Sequence, residues 1–195
     1  MNSKFYYFGP LLYHTKLNDT EVNNLKSLCI KDGKNSMRHR LAGHISEEYA
    51  IDSDLFKINI KNYLIDFKNC YNNFYNDNSN KKINLSDAWV NYMKPGEYNP
   101  AHIHSADFSG VVYLNFPIEL QNEIKEHQQN NIQSLPPGGI HFLYSCPQEY
   151  FITQNIFVPN IGEMFIFPSK LMHMVPTFKS KVERISIAFN IKFYE

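Results

Sequence analysis

The stretch that decides the fold is 92-YMKPGEYNPAHIHSADFSGVVYLN-115. Lys94-Pro95-Gly96 is a turn signal, and Ser109, Val111 and Tyr113 alternate with Gly110, Val112 and Leu114 in the period-two pattern of a strand. Between them stand His102 and His104. On an extended chain, residues two apart point to one face, so both imidazoles can converge on one ion.

Working outward, the same texture continues. Short extended runs are expected at 84–93, 100–104, 109–115, 139–145, 153–158, 163–167, 172–176 and 183–193. They are separated by Pro136-Pro137-Gly138-Gly139, Asn160-Ile161-Gly162 and Phe167-Pro168-Ser169. Many short strands with Gly/Pro turns indicate a mainly β chain, a sandwich or jelly roll. Before residue 84 the pattern differs. Residues 5–17 read as extended, and Asn18 with Glu21 forms a capping box for a helix reaching about Ile30. Residues 34–52 lack periodicity and read as a loop. Ser53 or Asp54 caps a longer helix whose stripe is Leu55, Tyr63, Leu64, Phe67, Cys70, Tyr71 and Phe74. The polar segment 118–134 reads as a connecting loop or short helix. We expect one domain over 1–195, with 1–83 supporting a β core at 84–195.

Composition excludes several classes. The chain has 195 residues, 43% hydrophobic and 15% aromatic, which suits a packed globule. Its formal net charge is zero, so neither nucleic acid nor an acidic membrane surface is indicated as a partner. No apolar run reaches membrane-spanning length. Cys29, Cys70 and Cys146 are odd in number and far apart, as expected for buried free thiols in a reducing cytoplasm. Asn, Lys, Ile and Tyr are abundant, the mark of an AT-rich genome. Arginine occurs only at 38, 40 and 184, so each one carries information.

A third histidine, His173, lies in 162-GEMFIFPSKLMHMVP-176, and Arg184 follows in 182-VERISIAFNI-191. A lone histidine is more often a satisfied core or surface residue. A His-x-His pair entering an apolar strand, with a third histidine on another strand, favours a metal such as Zn, Fe, Cu or Ni. His14, His39, His44, His127 and His141 lack that setting and are read as structural. On the last strand, Arg184, Ser186, Ala188 and Asn190 share one face, and Ile185, Ile187, Phe189 and Ile191 share the other. The first face suits a pocket that holds a carboxylate through Arg184 and Ser186. Tyr92 and Tyr113, on strands flanking the histidines, are candidate partners for the same carboxylate, although 13 tyrosines in the chain make aromatic core an equal use for them. Trp89 and Asn91 point opposite to Tyr92 and either line an entrance or pack.

The pieces YMKPGEYNPAHIH, SGVVYLNFP, GGIHFLYSCP, GEMFIFPSKLMHMVP and RISIAFN, in this order over about residues 84–195, resemble the 2-oxoglutarate- and iron(II)-dependent dioxygenase superfamily, in particular its phage and bacterial branch. The resemblance implies a double-stranded β-helix, a cupin-like jelly-roll barrel with N-terminal helices packed on one sheet. It implies Fe(II), 2-oxoglutarate and O2 as cofactor and cosubstrates, with His102 and His173 as metal ligands and Tyr92, Tyr113, Arg184 and Ser186 around the distal carboxylate of 2-oxoglutarate. The implied reaction is hydroxylation of a small-molecule or peptide substrate, coupled to decarboxylation of 2-oxoglutarate to succinate. In the position that the wider superfamily gives to a carboxylate, this chain has His104. Asp107 could serve instead if Ser105-Ala106 turn sharply. Three histidines on such a barrel also suit a zinc-dependent hydrolase or lyase, and a barrel without turnover would be a binding protein. The loops 94–101, 117–137 and 146–152 would shape the entrance. Exposed strand edges and many aromatics allow a homodimer, and a phage gene would place the protein in its host's cytoplasm.

Overall fold

A computed structural model describes residues 9–77, 79, 81–130, 135–145 and 152–194. Residues 5–8, part of the loop 117–137, Cys146 and most of the loop 146–152 lie outside these. Ten strands form two antiparallel sheets, the arrangement expected of a double-stranded β-helix. The elements in chain order are β1 (Tyr13–Lys16), α1 (Asp19–Ser27), β2 (Glu47–Ala50), α2 (Ser53–Asn59), α3 (Lys61–Tyr75), β3 (Lys82–Met93), β4 (Asn99–His102), β5 (Phe108–Asn115), α4 (Ile118–Gln129), β6 (Ile140–Leu143), β7 (Gln154–Phe157), β8 (Glu163–Pro168), β9 (Met172–Val175) and β10 (Arg184–Tyr194). The major sheet runs β1-β8-β5-β10-β3-β2 and the minor sheet β4-β9-β6-β7.

The alternation on β10 organises both faces of the major sheet. Ile187, Phe189 and Ile191 are fully buried and join Val90, Val112, Leu114 and Ile166 under Val22, Leu25, Phe56, Ile60, Leu64 and Phe67 of the helices. This is the largest core. The opposite face turns toward the minor sheet, where Val111, Tyr113 and Phe165 meet Ile140, Phe142 and Leu171. Hydrophobic burial of this kind is worth about 25 cal/mol per Å² of apolar surface, so the helices close one side of the sheet at a net gain.

The helices follow their local signals with two corrections. The capping box at α1 is present: Glu21 N donates to Asn18 Oδ1 at 2.9 Å, and Asn18 N donates to Glu21 Oε2 at 2.9 Å. The expected long helix is broken at Ile60 (φ −107, ψ 11) into α2 and α3. Its cap is Asp52, not Ser53 or Asp54; the Asp52 carboxylate accepts from the amides of Asp54 and Leu55. Of the expected stripe, Leu64 and Phe67 are buried, whereas Leu55, Cys70 and Phe74 are exposed. The segment 34–52, read as a loop, contributes β2 to the sheet edge. Polar residues 118–129 are helical, buried at Leu120 and Ile124. Among the described residues no helix is long and apolar enough to cross a membrane. Cys29 and Cys70 are free thiols.

Gly110 fits its place because the Phe189 ring lies directly over it. A β-carbon there would stand 2.2 Å from Phe189 Cζ, and that ring has no room to retreat from a fully buried site. Gly110→Ala is expected to lower the unfolding free energy by about 1–3 kcal/mol, the usual cost of overpacking a core, as read from urea denaturation.

Candidate metal centre and cosubstrate pocket

His102 ends β4 and pairs across the minor sheet with His173 on β9. His104 follows on the loop into β5. One ring nitrogen from each of the three histidines lies within 4.8 Å of the others. His104 Nε2 and His173 Nε2 are 3.2 Å apart. Two rings have their orientation set by the backbone: His102 Nδ1 is 2.7 Å from the Pro100 carbonyl oxygen, and His173 Nδ1 is 2.9 Å from that of Leu171. A carbonyl accepts only, so each Nδ1 carries the hydrogen and each Nε2 keeps its lone pair, as metal-ligating imidazoles require. Burial lowers all three pKa values, that of His104 to about 4 and that of His173 to about 3, with His102 opposing a second charge at both. The three rings are therefore neutral at pH 7. Neutral imidazoles with converging lone pairs are a donor set for a borderline transition metal.

The loop that carries His104 is tied at several points. His104 N donates to Ser169 O at 2.9 Å, and Ser169 N donates to Asp107 O at 3.1 Å. Ser169, fully buried, shares a hydrogen bond with the Ser109 hydroxyl at 2.9 Å. Asp107 is not a ligand. Its Oδ2 accepts from Phe193 N at 2.8 Å, and its amide donates to Ile191 O, so its side chain serves the end of β10. The chain does bend at Ser105-Ala106, but the bend carries the Asp107 carboxylate to Phe193 N on β10 and not to the histidines.

Beyond the histidines a narrow cavity of about 50 Å³ reaches Arg184, Ser186 and Tyr113. Arg184 is 3% exposed and has no carboxylate within salt-bridge distance among the described residues. Its Nη1 donates to Ser186 Oγ at 3.4 Å, its guanidinium carbon lies 5.0 Å from the Tyr113 ring centre, and its Nε has no partner. The Tyr113 hydroxyl is also buried without a partner. Burial holds its pKa at about 12 even beside Arg184, so it stays protonated as a donor. A buried cation and a buried hydroxyl, both with unused donor capacity, fit an incoming carboxylate.

Tyr92 is a correction. It stands on the helix-facing side of β3, where its hydroxyl donates to Cys29 O at 2.8 Å and Lys31 Nζ lies 4.2 Å from its ring centre. The period-two rule sends its neighbour Asn91 into the cavity, and register aligns Asn91 with Ser186 on β10. The same register places Tyr113 on one side of Ser186 and Glu48 on the other side of Asn91. Thus a polar row, Tyr113–Ser186–Asn91–Glu48, crosses four strands of the major sheet, every member buried. Glu48 had no signal in the sequence because its segment lacks periodicity, and Asn99 on β4, a cavity-lining residue, was hidden among turn residues.

With this geometry, comparison with known proteins is informative. A sequence family described as "Putative 2OG-Fe(II) oxygenase" matches residues 87–190, more than half of the chain. The chain belongs to this family of 2-oxoglutarate- and Fe(II)-dependent oxygenases. No curated protein matches it in sequence. Similar solved structures include the viral collagen prolyl hydroxylase of Paramecium bursaria Chlorella virus-1 in complex with 2-oxoglutarate (18% identity, TM-score 0.57, 92% of this chain and 94% of that one). They also include a Pseudomonas putida prolyl-4-hydroxylase (13% identity, TM-score 0.52, 92% and 91%). An oxidoreductase of the 2OG-Fe(II) oxygenase family from Burkholderia pseudomallei matches over 63% of this chain and 48% of its own length, about half (16% identity, TM-score 0.43). The two prolyl hydroxylase likenesses confirm the double-stranded β-helix. The family uses Fe(II), 2-oxoglutarate and O2, and the residues here fit that set: three neutral nitrogen donors beside an unpaired buried cation.

Two outcomes follow. His173→Ala, which removes the most buried of the three imidazoles, is expected to weaken Ni(II) binding by at least about 100-fold, measured calorimetrically, since even partners of ligands are worth about 10–100-fold. Glu48 is 1% exposed, and burial together with the charge of Glu97 raises its pKa to about 7, with Arg38 opposing. In the unfolded chain it ionises near the ordinary 4.5. Between those values folding must hold a proton that the unfolded chain releases, so stability falls as pH rises through this window and the penalty is full above it. Glu48→Gln is expected to melt above the native protein at pH 8, with the gap closing toward pH 5, as followed by thermal denaturation.

Proposed function

We propose that the protein is an Fe(II)- and 2-oxoglutarate-dependent hydroxylase in which His102, His104 and His173 hold the metal and Arg184, Ser186 and Tyr113 hold the distal carboxylate of 2-oxoglutarate. The observation that carries this reading is the juxtaposition, in one cavity, of three converging imidazoles with a buried guanidinium that has no counter-ion among the described residues. Bound iron supplies the oxidising chemistry, coupling decarboxylation of 2-oxoglutarate to succinate with oxidation of the substrate.

The chain's own residues do the rest. Arg184 presents a planar fork to the carboxylate, and Ser186 and the protonated Tyr113 hydroxyl complete its hydrogen bonds. Val111, Ile140, Phe167 and Val175 line the cavity with apolar surface that excludes water and strengthens each polar contact. Pro100 and Leu171 carbonyls fix two imidazole tautomers. With His104 in place of a carboxylate, the ligands contribute no negative charge, so a dianionic cosubstrate meets both the full metal charge and Arg184. That accounting favours 2-oxoglutarate over a zinc-hydrolase use of the same histidines, which gives Arg184 nothing to do.

Residues 1–195 act as one unit in this reading, supported by the packing of α1–α3 on the major sheet. The substrate is a small molecule or a peptide. A phage or bacterial gene and a cytoplasmic setting are supported by the Lys- and Asn-rich composition and by free Cys29 and Cys70.

The test is anaerobic calorimetric titration of 2-oxoglutarate into Fe(II)-loaded protein with metal-free protein as control. Binding that requires the metal and weakens by at least about 100-fold in Arg184→Ala, the scale of losing a buried charge-assisted pair, is expected. Binding that ignores Arg184, or no binding to metal-loaded protein, would refute the assignment.

A further inference from the structure

The cavity holds more acceptors than the cosubstrate can use. Arg184 Nε and the Tyr113 hydroxyl are unpartnered donors, and 2-oxoglutarate, a dianion without hydrogen-bond donors, answers them. Asn91 Oδ1 and Asn99 Oδ1 are buried acceptors without partners. Both residues line the cavity, Asn91 from β3 of the major sheet and Asn99 from β4 of the minor sheet, so they face it from opposite walls. Asn91 is 6% exposed. Whichever way a carboxamide is turned it keeps one acceptor oxygen, and 2-oxoglutarate has no hydrogen to offer either of them. A hydrogen-bond donor entering the cavity, a substrate N–H in place of water, would satisfy them.

Neighbouring residues narrow its chemistry. Ile45, Trp89 and Met93 give the surroundings an apolar surface. Among the described residues that line the cavity, Arg184 is the one lysine or arginine. With Arg184 engaged by the cosubstrate, no cation is left for a second anion. Behind Asn91, its register partner Glu48 sits on the same face with Oε2 unpartnered, a group that offers no positive charge to an anion in either protonation state.

We propose that Asn91 and Asn99 form the primary-substrate subsite, and that the substrate enters it with an N–H group of neutral or positive charge, an amide or an amine, and not with a carboxylate or phosphate. This rests on the oxygenase reading of the same cavity.

The test uses Zn(II)- and 2-oxoglutarate-loaded protein, zinc serving as a redox-inert occupant of the histidine site. Butylamine, butyramide and butyrate share one carbon skeleton and are titrated separately by ligand-detected NMR in the millimolar range suited to fragments. The amine or the amide is expected to bind at least about tenfold more tightly than butyrate, the scale of one satisfied against one unsatisfied buried acceptor. Asn99→Leu is expected to cancel that preference, and Asn99→Asp, which keeps an acceptor at the position, to retain amine binding. Equal or tighter butyrate binding, no binding of amine or amide, or a preference unchanged in Asn99→Leu with a native melting temperature would overturn the proposal. If Asn99→Leu melts below the native protein, the Asn99→Asp arm decides: loss of amine binding there also overturns it. Calorimetry of 2-oxoglutarate on the same native preparation separates the two readings: absent cosubstrate binding indicts the oxygenase assignment, whereas intact cosubstrate binding without the N–H preference indicts the subsite alone.

Discussion

The period-two alternation of β10 is the constraint on which the molecule turns. This strand lies inside the major sheet, paired to β3 along one edge and β5 along the other. A slip of one residue would send Ile187, Phe189 and Ile191 into the cavity and drive Arg184 and Ser186 under the helices. Such a slip would strand a guanidinium in the main core and leave the cavity without its cation. Hydrophobic burial on one face and the placement of Arg184 and Ser186 in the cavity on the other are thus enforced by the same register, and neither can drift alone.

The electrostatics of the centre follow from that placement. A guanidinium at 3% exposure is costly to bury, and among the described residues no carboxylate offsets it. The histidines add no negative charge either, being imidazoles, and burial keeps them from adding a positive one. The protein keeps a cavity in which unpartnered donors, on Arg184 and Tyr113, and unpartnered acceptors, on Asn91 and Asn99, stand together. Such polarity is preorganisation: the groups are fixed by strands and by carbonyl contacts before any ligand arrives, so little reorientation accompanies binding.

Much of this was legible in the residues, and the boundary of legibility is physical. His102, His104, His173, Arg184 and Ser186 could be read because strand parity and spacing carry facing information, and the structure brings them into one cavity. Tyr113 could be read for the same reason. Tyr92 could not, since 13 tyrosines make any single one ambiguous, and parity already paired Asn91 with Trp89 on the cavity side. Glu48 was invisible: its strand is four residues at a sheet edge, too short to show alternation, and its burial comes from residues distant in sequence. The break at Ile60 and the cap at Asp52 likewise depend on how α2 and α3 must bend to cover the sheet, which propensity does not encode.

Asp107 shows how a residue can matter to a centre it never touches. Its carboxylate fastens the end of β10, its amide reaches Ile191, and its carbonyl joins the Ser169 backbone that also anchors His104. The loop that carries His104 is therefore tied to β10 by one side-chain and one backbone bond of Asp107, and to the turn between β8 and β9 by a second backbone bond. Replacing Asp107 would leave both backbone bonds in place and free only the Phe193 amide, so the anchorage of this loop is written mostly in main-chain atoms.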